Sequence, residues 1–192
     1  MKLISIDPGT TESAYTIYDS KTREVYAEIV DNEDLLAMLR DGVEVDCFAI
    51  ERIQSYGMPV GESIFKTVFW SGRFVEAWVR NNDEKSWMGV DRSSVKMHLC
   101  KSMQANDSNI RKAVIEKFGP EEEAIGGKKC SVCGGNGVRG RGKNKATCVE
   151  CEGSGWRYPP GPLRGVVRDM WSSTAIALTV VETKKDAHEK TG

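Results

Sequence analysis

The 192-residue chain has no long apolar run and no surplus of one charge. It contains no 18 consecutive apolar residues, and its first residues, MKLISIDPG, lack the apolar core of a signal peptide. These absences argue against a membrane-spanning helix and a secretory signal, so we expect a cytoplasmic protein with no membrane partner. The chain length and the 40% hydrophobic content suit about one domain with a buried core.

The net charge of -1 conceals an uneven distribution of charged residues along the chain. Residues 1–60 carry 12 acidic and 5 basic side chains, whereas residues 128–168 carry 2 acidic and 9 basic ones. A metal-binding carboxylate site beside a polyanion-binding surface would give this pattern. Separate solvated faces would give it too, so the charge pattern alone leaves both interpretations open.

Four of the six cysteines form two Cys-x-x-Cys pairs, Cys130 with Cys133 and Cys148 with Cys151, separated by 14 residues. This spacing predicts a tetrahedral Zn²⁺ site, and four thiolates leave no ligand position open, which favours a structural ion over a catalytic one. Disulfides would require an oxidising compartment, and a redox-active pair would require a thioredoxin-like context. The sequence indicates neither.

Glycines frame both cysteine pairs in the repeated pattern C-x-x-C-x-G-x-G, which lets the backbone fold tightly around the thiolates. The repeat resembles the zinc finger of the DnaJ chaperones over about 26 residues. Two repeats can close one four-cysteine site. A basic stretch lies between them, and we expect it to contact phosphates, with a solubilising loop as the alternative. Its charged residues are Arg139, Arg141, Lys143 and Lys145.

The order of predicted elements defines the domain organisation. Three strands, a helix, a strand, a long helix from Gly61 to about Arg80, a further strand and more helices follow one another, which predicts an α/β domain with a mixed sheet. We assign residues 1–120 and 166–183 to this core and residues 121–165 to an inserted zinc finger with its return hinge. Residues 184–192 are expected to be a disordered polar tail.

Three carboxylates are candidate metal ligands. Asp7 follows the first strand, and Glu51 ends the strand expected to lie beside it, so both project from neighbouring strand ends. Asp169, near the start of the last helix, can close the cluster. Three oxygen ligands without histidine favour Mg²⁺ or Mn²⁺ over zinc. Paired ions about 3.5 to 4 Å apart suit phosphodiester cleavage, although acidic residues at strand ends are common and spacing alone is a weak argument.

Four motifs occur in the order found in the RuvC-like Holliday junction resolvases, which the chain resembles over nearly all of its length outside the zinc insert. The resemblance implies a ribonuclease H-like fold with a five-stranded sheet, usually a homodimer, and Mg²⁺-dependent nicking of branched DNA. A small chain with such an insert resembles a bacteriophage type. The motifs are Ile4-Ser-Ile-Asp7-Pro-Gly9-Thr-Thr11, Ala49-Ile-Glu51-Arg52-Ile-Gln54, Val95-Lys96 and Asp169-Met-Trp-Ser-Ser-Thr-Ala175-Ile-Ala177.

The resemblance also implies roles for single residues. Asp7, Glu51 and Asp169 match the catalytic metal-binding carboxylates, with metal-activated water as the expected nucleophile. Lys96 matches a lysine that neutralises the scissile phosphate, although an ordinary surface lysine is the alternative. The family commonly has another acid three residues after Asp169, where this chain has Ser172. Either water or Ser172 completes the metal site, or metal binding is weaker.

Several further residues are candidate DNA contacts. Tyr56 and Met58 lie in a segment that corresponds to the family loop that opens the junction centre, where they can stack on bases or simply pack within the loop. Candidate contacts to the DNA backbone, with weaker support, are Arg52, Lys101, Arg111 and Lys112.

We therefore predict a metal-dependent, structure-selective DNA endonuclease in which the zinc finger widens the DNA-binding surface. One active site per subunit requires a dimer for paired nicks, and the apolar face of the helix from Gly61 to Arg80 is the first candidate interface. Two alternatives remain: a ribonuclease H-like nuclease acting on flaps, forks or RNA-DNA hybrids, and a non-catalytic zinc-finger binding module whose carboxylates are structural.

Overall fold

The structure, a computed structural model, describes residues 1–55, 57, 59–82, 87–140 and 145–189, with the backbone alone at 186, 188 and 189. The chain divides into two compact units. The larger unit comprises Met1–Val114 and Val166–Gly192, and the smaller unit comprises Ile115–Gly165. The sequence analysis expected the insert to begin at residue 121. The smaller unit begins at Ile115 instead, within a helix.

A five-stranded mixed sheet forms the centre of the larger unit, as predicted. In sheet order the strands run β3-β2-β1-β4-β5, with β1–β2 and β2–β3 antiparallel and β1–β4 and β4–β5 parallel. Buried residues on both faces of β1 and β4 explain why these two segments read as continuous apolar runs. The strands are β1 (Lys2–Asp7), β2 (Glu12–Asp19), β3 (Val25–Asp31), β4 (Cys47–Arg52) and β5 (Trp87–Asp91).

Helices cover both faces of this sheet. The described helices are α1 (Asn32–Asp41), α2 (Glu62–Asn82), α3 (Arg92–Cys100), α4 (Asp107–Phe118), α5 (Glu121–Ala124) and α6 (Met170–Glu189), of which α5 belongs to the smaller unit. Among these helices, none has the length and apolar character that crossing a membrane requires.

The last helix differs from its prediction at both ends. It begins at Met170 rather than near Val166, because Arg168 adopts a left-handed backbone with φ 47° and interrupts helical geometry just before it. It continues to Glu189, so the expected disorder of residues 184–192 is wrong as far as 189. One contact in this extension is that of Lys184 Nζ with Cys47 Sγ at 3.4 Å.

Side-chain alternation divides the core between the two sheet faces. Ile4, Ile6, Phe48 and Ile50 belong to the apolar cluster formed with α1 and α2. The other face of β1 carries the small Ser5, whose hydroxyl donates to the Ser173 carbonyl of α6 at 2.7 Å. This close approach fixes the first turn of α6 against the centre of the sheet.

The smaller unit is built from short strands around the cysteines. Strand β6 (Gly126–Lys129) pairs antiparallel with β9 (Trp156–Pro160), and β7 (Val138–Arg139) pairs with β8 (Ala146–Thr147). The prolines expected to form a return hinge lie partly within β9, where the missing N–H groups are tolerated at a sheet edge.

Candidate active site and zinc centre

Asp7 and Glu51 stand side by side at the carboxyl ends of adjacent strands. The parallel register pairs Ile6 of β1 with Ile50 of β4, so the next residue on each strand is one of the two acids. Neighbouring strands lie about 4.8 Å apart, and equal register places both side chains on the same sheet face. That face is the one covered by α6, so the two carboxylates point toward the start of this helix.

A buried polar network fixes the backbone that follows Asp7. The Ser13 hydroxyl accepts from the Gly9 N–H at 3.0 Å and donates to Asn32 Oδ1 at 2.6 Å. The Asn32 amide in turn donates to the Gly9 carbonyl at 3.2 Å. A Cβ atom at Gly9 would lie 2.1 Å from the Glu12 carbonyl oxygen, so no larger residue fits there without moving the loop.

The two carboxyls perturb each other's ionisation. Burial, and then the negative charge of Glu51, raises the pKa of Asp7 to about 7. The positive charge of Arg92 and a hydrogen bond from Ser172 act in the opposite direction. Burial also raises the pKa of Glu51, against the lowering effect of Arg92. The carboxyl oxygens of Asp7 and Glu51 are suited to a hard divalent cation such as Mg²⁺ or Mn²⁺. Such an ion would displace the proton that their raised pKa values favour.

Arg92 is a cation of this site that the sequence analysis missed. It is the first residue of α3, and its Nη1 lies 2.9 Å from Ser172 Oγ and 3.4 Å from Glu51 Oε2. Its Nη2 donates to Asp107 at the start of α4. Lys96, the predicted phosphate-neutralising residue, lies one turn further along the same helix and is half-buried. Its role stays a prediction.

Asp169 lies at the rim of the site, just before α6. Its carbonyl accepts from the N–H groups of Ser172 and Ser173, and its charge contributes to the raised pKa of Asp7. Ser173 is held by buried Thr16 of β2, with 2.7 Å between the two hydroxyl oxygens. Asp169 and Ser172 are therefore held together at the start of α6, on the side of Asp7, although the Asp169 residue is exposed.

A cavity of about 220 Å³ adjoins Asp169. The Arg111 guanidinium lies over the Trp171 ring, 5.2 Å from its centroid. Arg111, a predicted DNA-backbone contact, therefore stands beside the carboxylates. The lining residues that matter here are Asp107, Arg111, Arg168, Asp169, Trp171 and Ser172.

The other predicted DNA contacts of the larger unit are spread over it or lie outside the described residues, as do two of the predicted contacts in the insert. Arg52 binds Asp91 through two nitrogens at 2.8 and 2.6 Å, and Gln54 donates to the same carboxylate at 2.8 Å. Lys101 and Lys112 are exposed. Tyr56, Met58, Arg141 and Lys143 lie outside the described residues.

The long helix α2 exposes part of its apolar face, as the sequence analysis expected. Phe65 and Phe69 are each 63% exposed, and Val68 between them is 49% exposed. Beside them lies an apolar cavity of about 380 Å³, lined in part by Val75 and Trp87. Large exposed side chains grouped in this way are typical of an interaction surface.

The four cysteines of the smaller unit converge, which confirms the predicted cluster. The Sγ atoms of Cys130 and Cys148 are 3.9 Å apart, those of Cys133 and Cys151 are 3.7 Å apart, and all four lie within 4.8 Å of one another. Zn–S bonds of about 2.3 Å require sulfur separations of about 3.8 Å in a tetrahedron. Disulfide sulfurs would be about 2.05 Å apart. The cluster therefore fits a zinc ion and contains free thiols.

The glycine repeats pack against each other around this cluster. A Cβ atom at Gly137 would lie 2.2 Å from the Gly153 carbonyl oxygen, and one at Gly155 would lie 2.4 Å from that of Gly135. Although burial raises the pKa of Cys133, hydrogen bonds from Gly137 and Gly135 lower it overall to about 7. The two C-x-x-C-x-G-x-G repeats thus form one interlocked cysteine cluster that could hold one metal ion, as their spacing predicts.

Basic side chains on the smaller unit are accessible. Arg139 on β7 and Lys145 next to β8 are exposed. Lys128 and Arg157 both approach the Tyr158 ring, at 5.8 and 5.7 Å from its centroid.

The cysteines and the carboxylates differ in how closely they converge. Among the described residues, the four cysteines bring their ligand atoms within 4.8 Å of one another, whereas the three carboxylates lie further apart.

Comparisons with known proteins bear on the fold. A scan against protein-family models found no match, and a search of curated proteins found none either. Among solved structures, the chain is similar to Thermus thermophilus RuvC, with a TM-score of 0.59 and 14% identity over 97% of each chain. It is also similar to T. thermophilus RuvC in complex with Holliday junction substrate, with a TM-score of 0.54, 14% identity, and 93% and 92% of the two chains covered. The fold is therefore that of RuvC, as the resemblance implied.

Proposed function

We propose that the protein is a divalent-metal-dependent endonuclease that nicks branched DNA such as four-way junctions. The observation that carries this proposal is the largely buried Asp7–Glu51 pair at neighbouring strand ends, with a basic side chain beside it. The RuvC fold supports the same conclusion, since the second RuvC structure holds a Holliday junction substrate.

Asp7 and Glu51 are the proposed ligands of Mg²⁺ or Mn²⁺, with Asp169 at the rim as the third. A bound divalent ion would supply a Lewis acid for phosphodiester hydrolysis. The pKa of Asp7 is raised to about 7, so this carboxyl would give up its proton when a divalent ion binds. The buried network at Gly9 holds Asp7 in place, and Ser173 holds the turn that carries Asp169.

The remaining residues are proposed to bind the substrate. Lys96 and Arg111 would supply positive charge near the carboxylates, and Arg139 and Lys145 would supply it on the smaller unit. A structural Zn²⁺ held by the four cysteines would keep the basic strands of that unit rigid. A homodimer through the apolar face of α2 would provide two active sites for two nicks. Phe65 and Phe69 are the proposed anchors of that interface.

One assay tests the nuclease. Labelled four-way junction, flap and linear duplex are incubated with the zinc-loaded protein in Mg²⁺, and Asp7→Asn is compared with Asp41→Asn, an exposed aspartate at the end of α1. We expect Mg²⁺-dependent nicks in the junction, lost in Asp7→Asn and kept in the control. Preferential cutting of the flap would reassign the substrate. No metal-dependent cleavage of any branched substrate would refute the nuclease and favour a binding module.

A further inference from the structure

Arg92 lies beside three carboxylates contributed by different elements of the larger unit. Its guanidinium contacts Glu51 of β4 and Asp107 of α4 directly, and its charge acts on Asp7. The charge of Asp169, just before α6, also acts on Asp7. Neighbouring carboxylates repel one another, and the positive charge of Arg92 reduces this repulsion.

The guanidinium is held firmly rather than lying free on the surface. The Arg92 side chain is 27% exposed and bridges three elements, with Ser172 on α6 as its third partner at 2.9 Å. An arginine at the first position of a helix is opposed by the positive end of the helix dipole, so helix stability does not account for it. Its planar fork of donors matches this set of oxygen acceptors.

The backbone that positions Arg92 is fixed as well. Asp91, the last residue of β5, accepts from Arg52 and Gln54 on the neighbouring strand and the segment after it. This arrangement ties the start of α3 to the end of β4, where Glu51 lies. The placement of Arg92 against Glu51 is therefore set by the sheet register, which pairs Arg52 with Asp91.

We propose that Arg92 acts as a built-in cation of the carboxylate site, so that one divalent ion, and not two, completes it. The inference rests on the proposed function. It replaces the two neighbouring divalent ions that the sequence suggested with a single ion. A second divalent ion would have to share Glu51 and Ser172 with a guanidinium that is always charged. A second ion would also compete for the negative charge of Asp7 and Glu51, part of which the Arg92 guanidinium already neutralises.

The number of bound ions tests this inference directly. Mn²⁺ is titrated into the zinc-loaded full chain and counted by calorimetry and by electron paramagnetic resonance, since Mn²⁺ does not displace zinc from thiolates. We expect one Mn²⁺ per chain with the spectrum of an isolated ion. Arg92→Gln should bind a second Mn²⁺ and show coupling between the two ions, and Arg92→Lys should stay at one. Arg80→Gln, which removes an exposed arginine paired with Glu76 on α2, is the matched control.

Two results would overturn the inference: two coupled Mn²⁺ ions in the unaltered protein, or a single ion in Arg92→Gln. Asp7→Asn must lose the counted ion, because otherwise the ion lies elsewhere and the inference is wrong. If Arg92→Gln fails to fold, Arg92→Met keeps the stem and removes the charge for the same count. Cleavage is measured separately. If the protein binds two ions and cuts junctions, only the role of Arg92 is refuted. If it binds a single ion and cuts no DNA, only the nuclease activity is refuted.

Discussion

Removing the charge of Asp7 should change how stability depends on pH. Burial and Glu51 raise the pKa of Asp7 from 3.8 to about 7, so the folded state binds this proton more tightly than the unfolded state does. The associated stability is complete below about pH 4 and is lost as the pH rises toward 7. At 1.36 kcal/mol per pKa unit, a shift of about three units corresponds to about 4 kcal/mol as an upper bound.

Asp7→Asn has no proton to lose at this position and should escape that loss. In urea unfolding of the zinc-loaded protein without Mg²⁺, the unaltered protein should lose up to about 3 kcal/mol more than Asp7→Asn between pH 5 and pH 8. Adding Mg²⁺ at pH 8 should stabilise the unaltered protein and leave Asp7→Asn unchanged, because the ion favours the ionised carboxylates.

Asp41→Asn provides the control, since this exposed carboxylate lies at the far end of α1. It should follow the unaltered protein at every pH. Parallel pH profiles for the unaltered protein and Asp7→Asn would refute the reasoning, because they would mean that Asp7 ionises without opposition in the folded state. A Mg²⁺ response retained in Asp7→Asn would place the ion elsewhere.

Four further outcomes are expected. Glu51→Gln should slow junction cleavage by about 10³-fold, whereas exposed Asp169→Asn should slow it by about tenfold; equal losses in single-turnover assays would contradict this ranking. Cys133→Ser should remove zinc, worth about 10 to 16 kcal/mol in small zinc domains, and expose the smaller unit to protease, with elemental analysis as the check. Phe65→Glu should weaken a dimer about 100-fold in ultracentrifugation, because the change occurs twice in a two-fold interface; an unchanged monomer–dimer equilibrium would exclude that face. Arg139→Gln should reduce the salt dependence of DNA affinity by about 1 in log–log slope, and an unaltered slope would make the strand merely solubilising.

The sheet and the Asp7–Glu51 pair could be predicted from the sequence because local signals were strong. The apolar run of β1 ends at Asp7-Pro8-Gly9, and the run of β4 ends at Glu51, so two acids at neighbouring strand ends followed from the strand order alone. The zinc cluster was equally accessible, since a four-cysteine site requires little more than the spacing of its ligands.

Arg92 and Asp107 could not be predicted because their contacts depend on tertiary geometry. Nothing near Arg92 in the sequence indicates that β5 pairs with β4 in the register that brings it to Glu51. The contact of Asp107 with Arg92 depends on how α3 and α4 approach each other, which no local pattern in the sequence indicates. The sequence did offer one signal for Arg92. It is a charged residue directly after β5, and β5 runs parallel to β4, the strand that carries Glu51.

Asn32 shows how residue type alone can mislead about a role. An asparagine directly before an amphipathic helix favours an N-cap, but Asp31 is the cap of α1, and its carboxylate accepts from the Glu33 N–H at 2.9 Å. Asn32 is fully buried instead and binds the Gly9 carbonyl. Cap preferences of Asp and Asn are similar, so only the packing of the loop after β1 decides between them.

Under the proposed function, the charges of the two units would respond differently to metal, and this difference would allow a near-neutral chain to bind DNA. Without a divalent ion, the neighbouring carboxyls of Asp7 and Glu51 would oppose the close approach of a phosphate to them. The exposed basic residues of the smaller unit, such as Arg139 and Lys145, carry no such dependence on Mg²⁺. DNA bound without Mg²⁺ would therefore depend mainly on the basic side chains of the smaller unit, and Mg²⁺ would add affinity only where a phosphate reaches Asp7 and Glu51. The metal would thus couple binding at the carboxylates to the reaction, whereas the basic strands would hold DNA in either state.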